Sequence, residues 1–174
     1  MNAITIVAYD ESWPKEFEKI KAELLSALGD SIIAVQHVGS TSVPMLYAKP
    51  IIDIDIVIES NMFEIAAKKL NTAGYIHQGD LGIKGREAFF YENKAHLMKH
   101  NLYVCNQNAD ELKRHMALRD FLRKSPECRE KYSNIKIEMA KKFPYDIEGY
   151  LNGKEPVIME IYEKCGLDIN YKNQ

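Results

Sequence analysis

The chain has 174 residues, 46% of them apolar and 28% charged, with a formal net charge of −2. That length is enough to bury a core, the composition is that of an ordered globular chain, and the near-neutral charge excludes a generally basic nucleic-acid or membrane-surface protein. No apolar run approaches the length of a membrane span.

The first residues, Met1 to Trp13, lack a basic segment followed by an apolar run, so no secretory signal is read and a cytoplasmic address is expected. Cys105, Cys128 and Cys165 are odd in number and far apart. They fit a reducing compartment and form no metal-ligating cluster.

In chain order, Asp10 to Trp13 leads into a helix whose apolar positions are Trp13, Phe17, Ile20, Leu24 and Leu28, with Gly29 as its stop. Ile32 to Val38 reads as a strand. Gly39 to Pro50 is a connection, and Ile51 to Ile58 is the clearest strand of the chain. Asn61 and Glu64 have capping-box spacing before a helix carrying Phe63, Ala66, Ala67 and Leu70.

Gly74 to Gln78, Glu87 to Tyr91 and His100 to Cys105 read as further strands. Asn108 and Glu111 offer a second capping box. Ser125-Pro126 ends one helix and starts the next, with serine as N-cap and proline in the first turn. A last helix is expected from about Ile147 to Lys164, with Gly153 and Pro156 as possible breaks. The expectation is an α+β chain read as one domain over residues 1–174: an α/β core over 1–107 and a helical tail over 108–174.

Chemistry concentrates between His37 and Val57. Strand side chains alternate, so Asp53, Asp55 and Val57 share one face, and Ile52, Ile54, Ile56 and Ile58 share the other. The second set is a core face. The first brings two carboxylates within reach of one hard cation, and oxygen ligands of this kind suit Mg²⁺ with substrate phosphates. The plain alternative is a solvated strand end or a salt bridge. Gly39 lets a ligand approach closely. Ser40, Thr41 and Ser42 follow with hydroxyls and backbone donors for a phosphate, without Walker A spacing.

The stretch His37-Val38-Gly39-Ser40-Thr41-Ser42-Val43-Pro44, with Ala48-Lys49-Pro50 and Ile51-Ile52-Asp53-Ile54, resembles the GrpB family of predicted nucleotidyltransferases. Gly85-Arg86, His100 to Val104, Leu118 to Arg123, and Tyr132 with Lys136 resemble its later blocks. Gly39-Ser40 followed by Asp53-x-Asp55 is similar to the signature of the wider nucleotidyltransferase superfamily. The resemblance implies a nucleotidyltransferase-like mixed β-sheet core flanked by helices, followed by a C-terminal helical segment. It implies Gly39 and Ser40 on nucleotide phosphate, and Asp53 and Asp55 as catalytic residues holding Mg²⁺. Relatives of this domain occur fused to dephospho-CoA kinase, which points toward cofactor metabolism. The superfamily's third carboxylate, on a later strand, has no counterpart among His100, Asn101 and Tyr103.

Lys49 and Arg86 are candidate phosphate partners, with Ser42 as a further one. Arg119 and Arg123, four apart, share a helix face. With Lys136 they are candidates for the far wall of a phosphate pocket, or for ion pairs with Asp120, Glu127 or Glu130. His37 and His100 are candidate acid-base groups, while His77, His96 and His115 are too dispersed for a metal site. Tyr91, Tyr103, Tyr132, Tyr150 and Tyr162 are candidates to stack on a base, or core-edge residues.

The leading expectation is Mg²⁺-dependent transfer of a nucleoside monophosphate from a nucleoside triphosphate to an acceptor. The expected partner is a nucleotide or a nucleotide-containing small molecule, and no membrane. The alternatives are a non-catalytic nucleotide- or coenzyme-binding module, or an RNA- or protein-interaction domain, for which Lys99, Arg114, Arg119 and Arg123 leave room. The sequence specifies neither the acceptor nor the oligomeric state.

Overall fold

A computed structural model describes residues 3–167. Five strands and five α-helices run in the order α1 (Trp13–Leu28), β1 (Ala34–Val38), β2 (Ile52–Ile58), α2 (Phe63–Thr72), β3 (Tyr75–Gly79), β4 (Arg86–Tyr91), β5 (His100–Asn106), α3 (Asp110–Lys124), α4 (Pro126–Lys142) and α5 (Ile147–Lys164). A short 3₁₀ turn, Ser40–Ser42, follows β1. The fold is α+β.

The sheet order is β1-β2-β5-β4-β3. The β2–β5 pair is parallel, and every other neighbouring pair is antiparallel. The sheet is therefore mixed, and β2 lies inside it, where its isoleucines can be buried.

The alternation in β2 divides the molecule into two halves. Ile52, Ile54, Ile56 and Ile58 join Leu102 and Val104 of β5 in one core against α1 and α2, whose Phe17, Ile20, Leu24 and Leu70 face them. Burying each such side chain contributes about 1.5–3 kcal/mol. The opposite face carries Asp53, Asp55 and Val57. Helix α3 covers its far end through Leu112 and Met116 against Val57 and Cys105. Helices α3, α4 and α5 pack with Val43 and Leu46 of the β1–β2 connection in a third cluster.

Helix ends follow local chemistry in part. Ser125 caps α4 by accepting from the Cys128 amide, with Pro126 in the first turn. Neither expected capping box forms. Helix α2 starts after Met62, whose amide donates to the Glu59 carbonyl, and no side chain caps it. Helix α3 starts after Ala109 without a side-chain cap, and Asn106 Oδ1 accepts from the Asn108 amide. Glu111 turns instead toward Arg114 and His115. Helix α5 runs unbroken through Gly153 and Pro156. Gly153 is where α5 meets α4: a β-carbon there would lie 2.9 Å from Met139 Cγ, so the glycine serves close packing rather than a break.

Candidate functional site

The register between β2 and β5 sets the floor of the site. Asp53 pairs with Asn101 and Asp55 with Tyr103, so these four share the sheet face opposite the isoleucine core. Asn101 Nδ2 donates to Asp53 Oδ1 at 2.8 Å. Arg86, from β4, lays its guanidinium 4.2 Å from the centroid of the Tyr103 ring.

A cavity of about 520 Å³ opens over this floor. Its walls are the Gly39–Thr41 turn, Lys49, and the inward sides of α3, α4 and α5. Five basic side chains line it (Lys49, Arg86, His115, Lys136 and Lys154) against two acids, Asp53 and Glu155.

Gly39 is fixed by the carboxylate. Its φ is +69°, and a β-carbon there would sit 2.8 Å from Asp53 Cβ and collide with the carboxylate itself. Only glycine combines that backbone angle with so close an approach. Gly39→Ala is expected to displace Asp53 and the turn together: ligand binding should fall below detection, with about 1–3 kcal/mol of stability lost to backbone strain, read by calorimetric titration and chemical denaturation. Full binding by this variant would show that the close approach has no functional role.

The three lysines come from separate segments. Lys136 Nζ donates to Ser40 Oγ at 3.0 Å and lies 4.2 Å from the centroid of the Tyr132 ring. Lys49 and Lys154 both approach the Tyr150 ring, at 5.4 and 4.9 Å. Burial lowers the pKa of each, most strongly for Lys136. The Lys154 charge depresses Lys49 and Lys136 further, and Lys49 also depresses Lys136. Asp53 opposes the shift in all three. With Arg86 and His115, the cavity's basic side chains outnumber its two acids, Asp53 and Glu155.

The two aspartates have different surroundings. Asp53 lines the cavity; burial raises its pKa, partly offset by the Asn101 hydrogen bond. Asp55 is 0% exposed and does not line the cavity. His115 Nδ1 lies 2.7 Å from Asp55 Oδ2, and Nε2 lies 3.1 Å from Glu111 Oε1, which in turn pairs with Arg114. Burial pulls the His115 pKa down, but these two carboxylates outweigh it and raise it from 6.5 to about 9. Asp55 Oδ1 has no hydrogen-bond partner among the described residues.

Among the described residues, no three His, Cys, Asp or Glu side chains converge on a metal position. Asp53 fits Mg²⁺ as a single carboxylate completed by phosphate and water oxygens, a common arrangement for that ion. Asp55, sealed under His115, does not fit as it stands.

The remaining expected residues divide between the cavity and its supports. Gly39, Ser40, Lys49, Arg86, Asn101 and Tyr103 meet around it. Ser42 turns away, its hydroxyl donating to the Gly39 carbonyl at 2.6 Å. Arg119 and Arg123 grip the turn from outside: Arg119 Nη1 donates to the His37 carbonyl at 3.1 Å, and Arg123 Nη2 donates to the Ser42 carbonyl at 2.8 Å.

His37 stacks on Phe17 at 4.7 Å, and burial lowers its pKa to about 4, so it is neutral at pH 7. His100 lies on the opposite sheet face, bonded to Tyr75 at 2.9 Å and stacked on Tyr91. It is not brought to the cavity, because β5 alternates and Asn101 takes the cavity side. Lys154 and His115 enter without a sequence signal: each is an isolated residue on a helix, with no motif around it.

The mixed sheet and its helices define the nucleotidyltransferase-like fold. Cid1, solved in complex with its short product ApU, superposes with a TM-score of 0.57 over 89% of this chain and 50% of that one. At 11% identity the likeness is one of fold.

The chain belongs to the GrpB family, whose model, described as "GrpB protein", matches residues 3–164. It is 32% identical over 165 residues to the UPF0157 protein YqkA of Bacillus subtilis, covering 93% of this chain but only 47% of that protein. It is 32% identical over 162 residues to the glutamate-rich protein GrpB of Alkalihalophilus pseudofirmus, covering 91% of this chain and 93% of that one. The crystal structure of the conserved protein GrpB from Enterococcus faecalis superposes with a TM-score of 0.80 at 29% identity, over 92% of this chain and 96% of that one. No helix among the described residues is long and apolar enough to cross a membrane.

Proposed function

We propose that the cavity binds a nucleoside triphosphate and that the chain transfers its nucleoside monophosphate to an acceptor hydroxyl or phosphate. One observation carries this reading: Asp53 lies against the Gly39-Ser40 turn in a cavity where five basic side chains face two acids. Gly39 and Ser40 position the phosphates. Lys49, Lys136, Lys154 and Arg86 offset the charge that develops on them. Tyr132, Tyr150 and Tyr103 offer ring faces for the base. Asp53 would hold Mg²⁺ together with phosphate oxygens, and the bound ion would supply charge neutralisation at the transferring phosphoryl group.

A second reading, nucleotide or coenzyme binding without turnover, rests on a specific arrangement. Asn101 and Tyr103 occupy the β5 positions facing the aspartates, and His115 closes over Asp55. No third acid stands ready on that face of β5.

The test is equilibrium binding of each nucleoside triphosphate with and without Mg²⁺, followed by pyrophosphate release over a panel of acceptors. Saturable, Mg²⁺-dependent binding that Asp53→Asn weakens, with release above background, is expected for the transferase. Binding without release selects the second reading. No binding of any nucleotide by a folded chain refutes both.

A further inference from the structure

Phosphate binding does not require the particular contact between Ser40 and Lys136. A lysine that only neutralises phosphate works best as an exposed ammonium, with its hydrogen bonds left for the ligand. Lys136 is 2% exposed, its hydrogen-bond partner is the Ser40 hydroxyl at 3.0 Å, and the face of the Tyr132 ring lies against its amine. Ser40 itself is half-buried and opens on the cavity. A hydroxyl facing a ligand space, with a buried amine hydrogen-bonded behind it, is the arrangement of an activated nucleophile. Burial and the Lys154 and Lys49 charges lower the pKa of the amine well below that of an ordinary lysine, against the pull of Asp53.

We propose that Ser40 is a nucleophile, that Lys136 is its proton acceptor, and that the chain forms a phosphodiester on Ser40 with a nucleoside triphosphate. Ser40 Oγ attacks the α-phosphorus. The new Oγ–P bond forms as the bond from the α-phosphorus to the bridging oxygen breaks, and pyrophosphate leaves with that electron pair. The hydroxyl proton passes to Lys136 Nζ, and the ammonium so formed stands beside the new phosphodiester anion and stabilises it. Tyr132 is a positioning residue whose ring face holds the amine beside the hydroxyl. The choice of nucleoside triphosphate rests on the nucleotide reading above; the nucleophile and its base do not.

The test has two arms on the full chain. In the first, an alkyl fluorophosphonate is the probe, and the adduct is mapped by peptide mass spectrometry. An adduct is expected on Ser40, absent in S40A and formed at least about 100-fold more slowly in K136R, whose guanidinium stays protonated and cannot accept the proton. An unchanged rate in folded K136R overturns the assignment. Should K136R fail to fold, the wild-type chain decides: labelling of Ser40 no faster than of exposed Ser60 also overturns it.

In the second arm, ATP labelled at the α- or the γ-phosphate is supplied with Mg²⁺. Retention of the α-label alone on Ser40 is expected, and retention of the γ-label overturns nucleotidyl transfer. If the fluorophosphonate labels Ser40 while ATP neither binds nor protects it, the nucleophile stands and the nucleotide reading falls.

Discussion

Asp55→Ala is expected to destabilise the fold by about 3–5 kcal/mol, whereas Asp53→Asn should stay within about 1 kcal/mol of wild type. The two residues are neighbours on one strand face and identical in chemistry. They differ in what surrounds them. Asp55 is fully buried and bonded to His115, which also contacts Glu111. Removing one member of a buried pair leaves the other charge without compensation, and that is where the large cost arises. Asp55→Asn keeps an acceptor for His115 and should cost less.

The double variant D55A/H115L removes both partners and should recover much of the loss, giving a large coupling in a double-mutant cycle. The same pair makes a pH signature. The His115 pKa is raised in the fold from 6.5 to about 9, so its stabilising contribution is complete below pH 6.5 and is lost as pH rises through about 9. Urea midpoints at pH 6 and pH 9.5 should therefore diverge between wild type and H115Q, with the wild type losing the larger increment. An equal loss in both chains would place the pH dependence elsewhere.

Lys49→Gln and Lys154→Gln should move stability and affinity in opposite directions. Each lysine carries its charge against burial, and the Lys154 charge opposes that of Lys49. Neutralising either removes an unfavourable charge from the ligand-free fold, so thermal stability should hold or rise. The same change removes a charge-assisted contact to phosphate, worth about 1.5–3 kcal/mol, or roughly 10- to 100-fold in the nucleotide dissociation constant. A purely structural lysine would lower stability when replaced and leave affinity alone. Calorimetric titration with ATP and Mg²⁺, paired with thermal unfolding in the absence of ligand, separates the two. Affinity unchanged in both variants would remove these lysines from the site.

The sheet was legible wherever one local pattern decided the outcome. Alternation from Ile52 to Ile58 is enough to send the isoleucines to the core and the aspartates to the other face, and Ser125-Pro126 has the local chemistry of a helix start. The unformed capping boxes mark where tertiary contacts outweigh a local signal: Glu111 has a histidine and an arginine to meet, which a cap cannot offer it. The site was legible only on its own strand and turn. Periodicity tells which face of a helix is apolar, not which strand it crosses. Lys154 and His115 therefore carried no signal, and the division between an open Asp53 and a closed Asp55 depends on a contact 60 residues apart in sequence. Register settled the orientation of β5, placing Asn101 and Tyr103 on the cavity side and His100 in the core.

The Gly39–Ser42 turn takes side-chain contacts from well beyond its own neighbourhood. Arg123 reaches it from 81 residues away and Lys136 from 96. During synthesis the turn and both aspartates leave the ribosome first, and the groups that would complete the pocket emerge only with the last helices. A nascent chain halted before Lys136 would expose the aspartate strand and the glycine turn without the amines that face them. The pocket would then be complete only once α4 and α5 have packed onto the sheet.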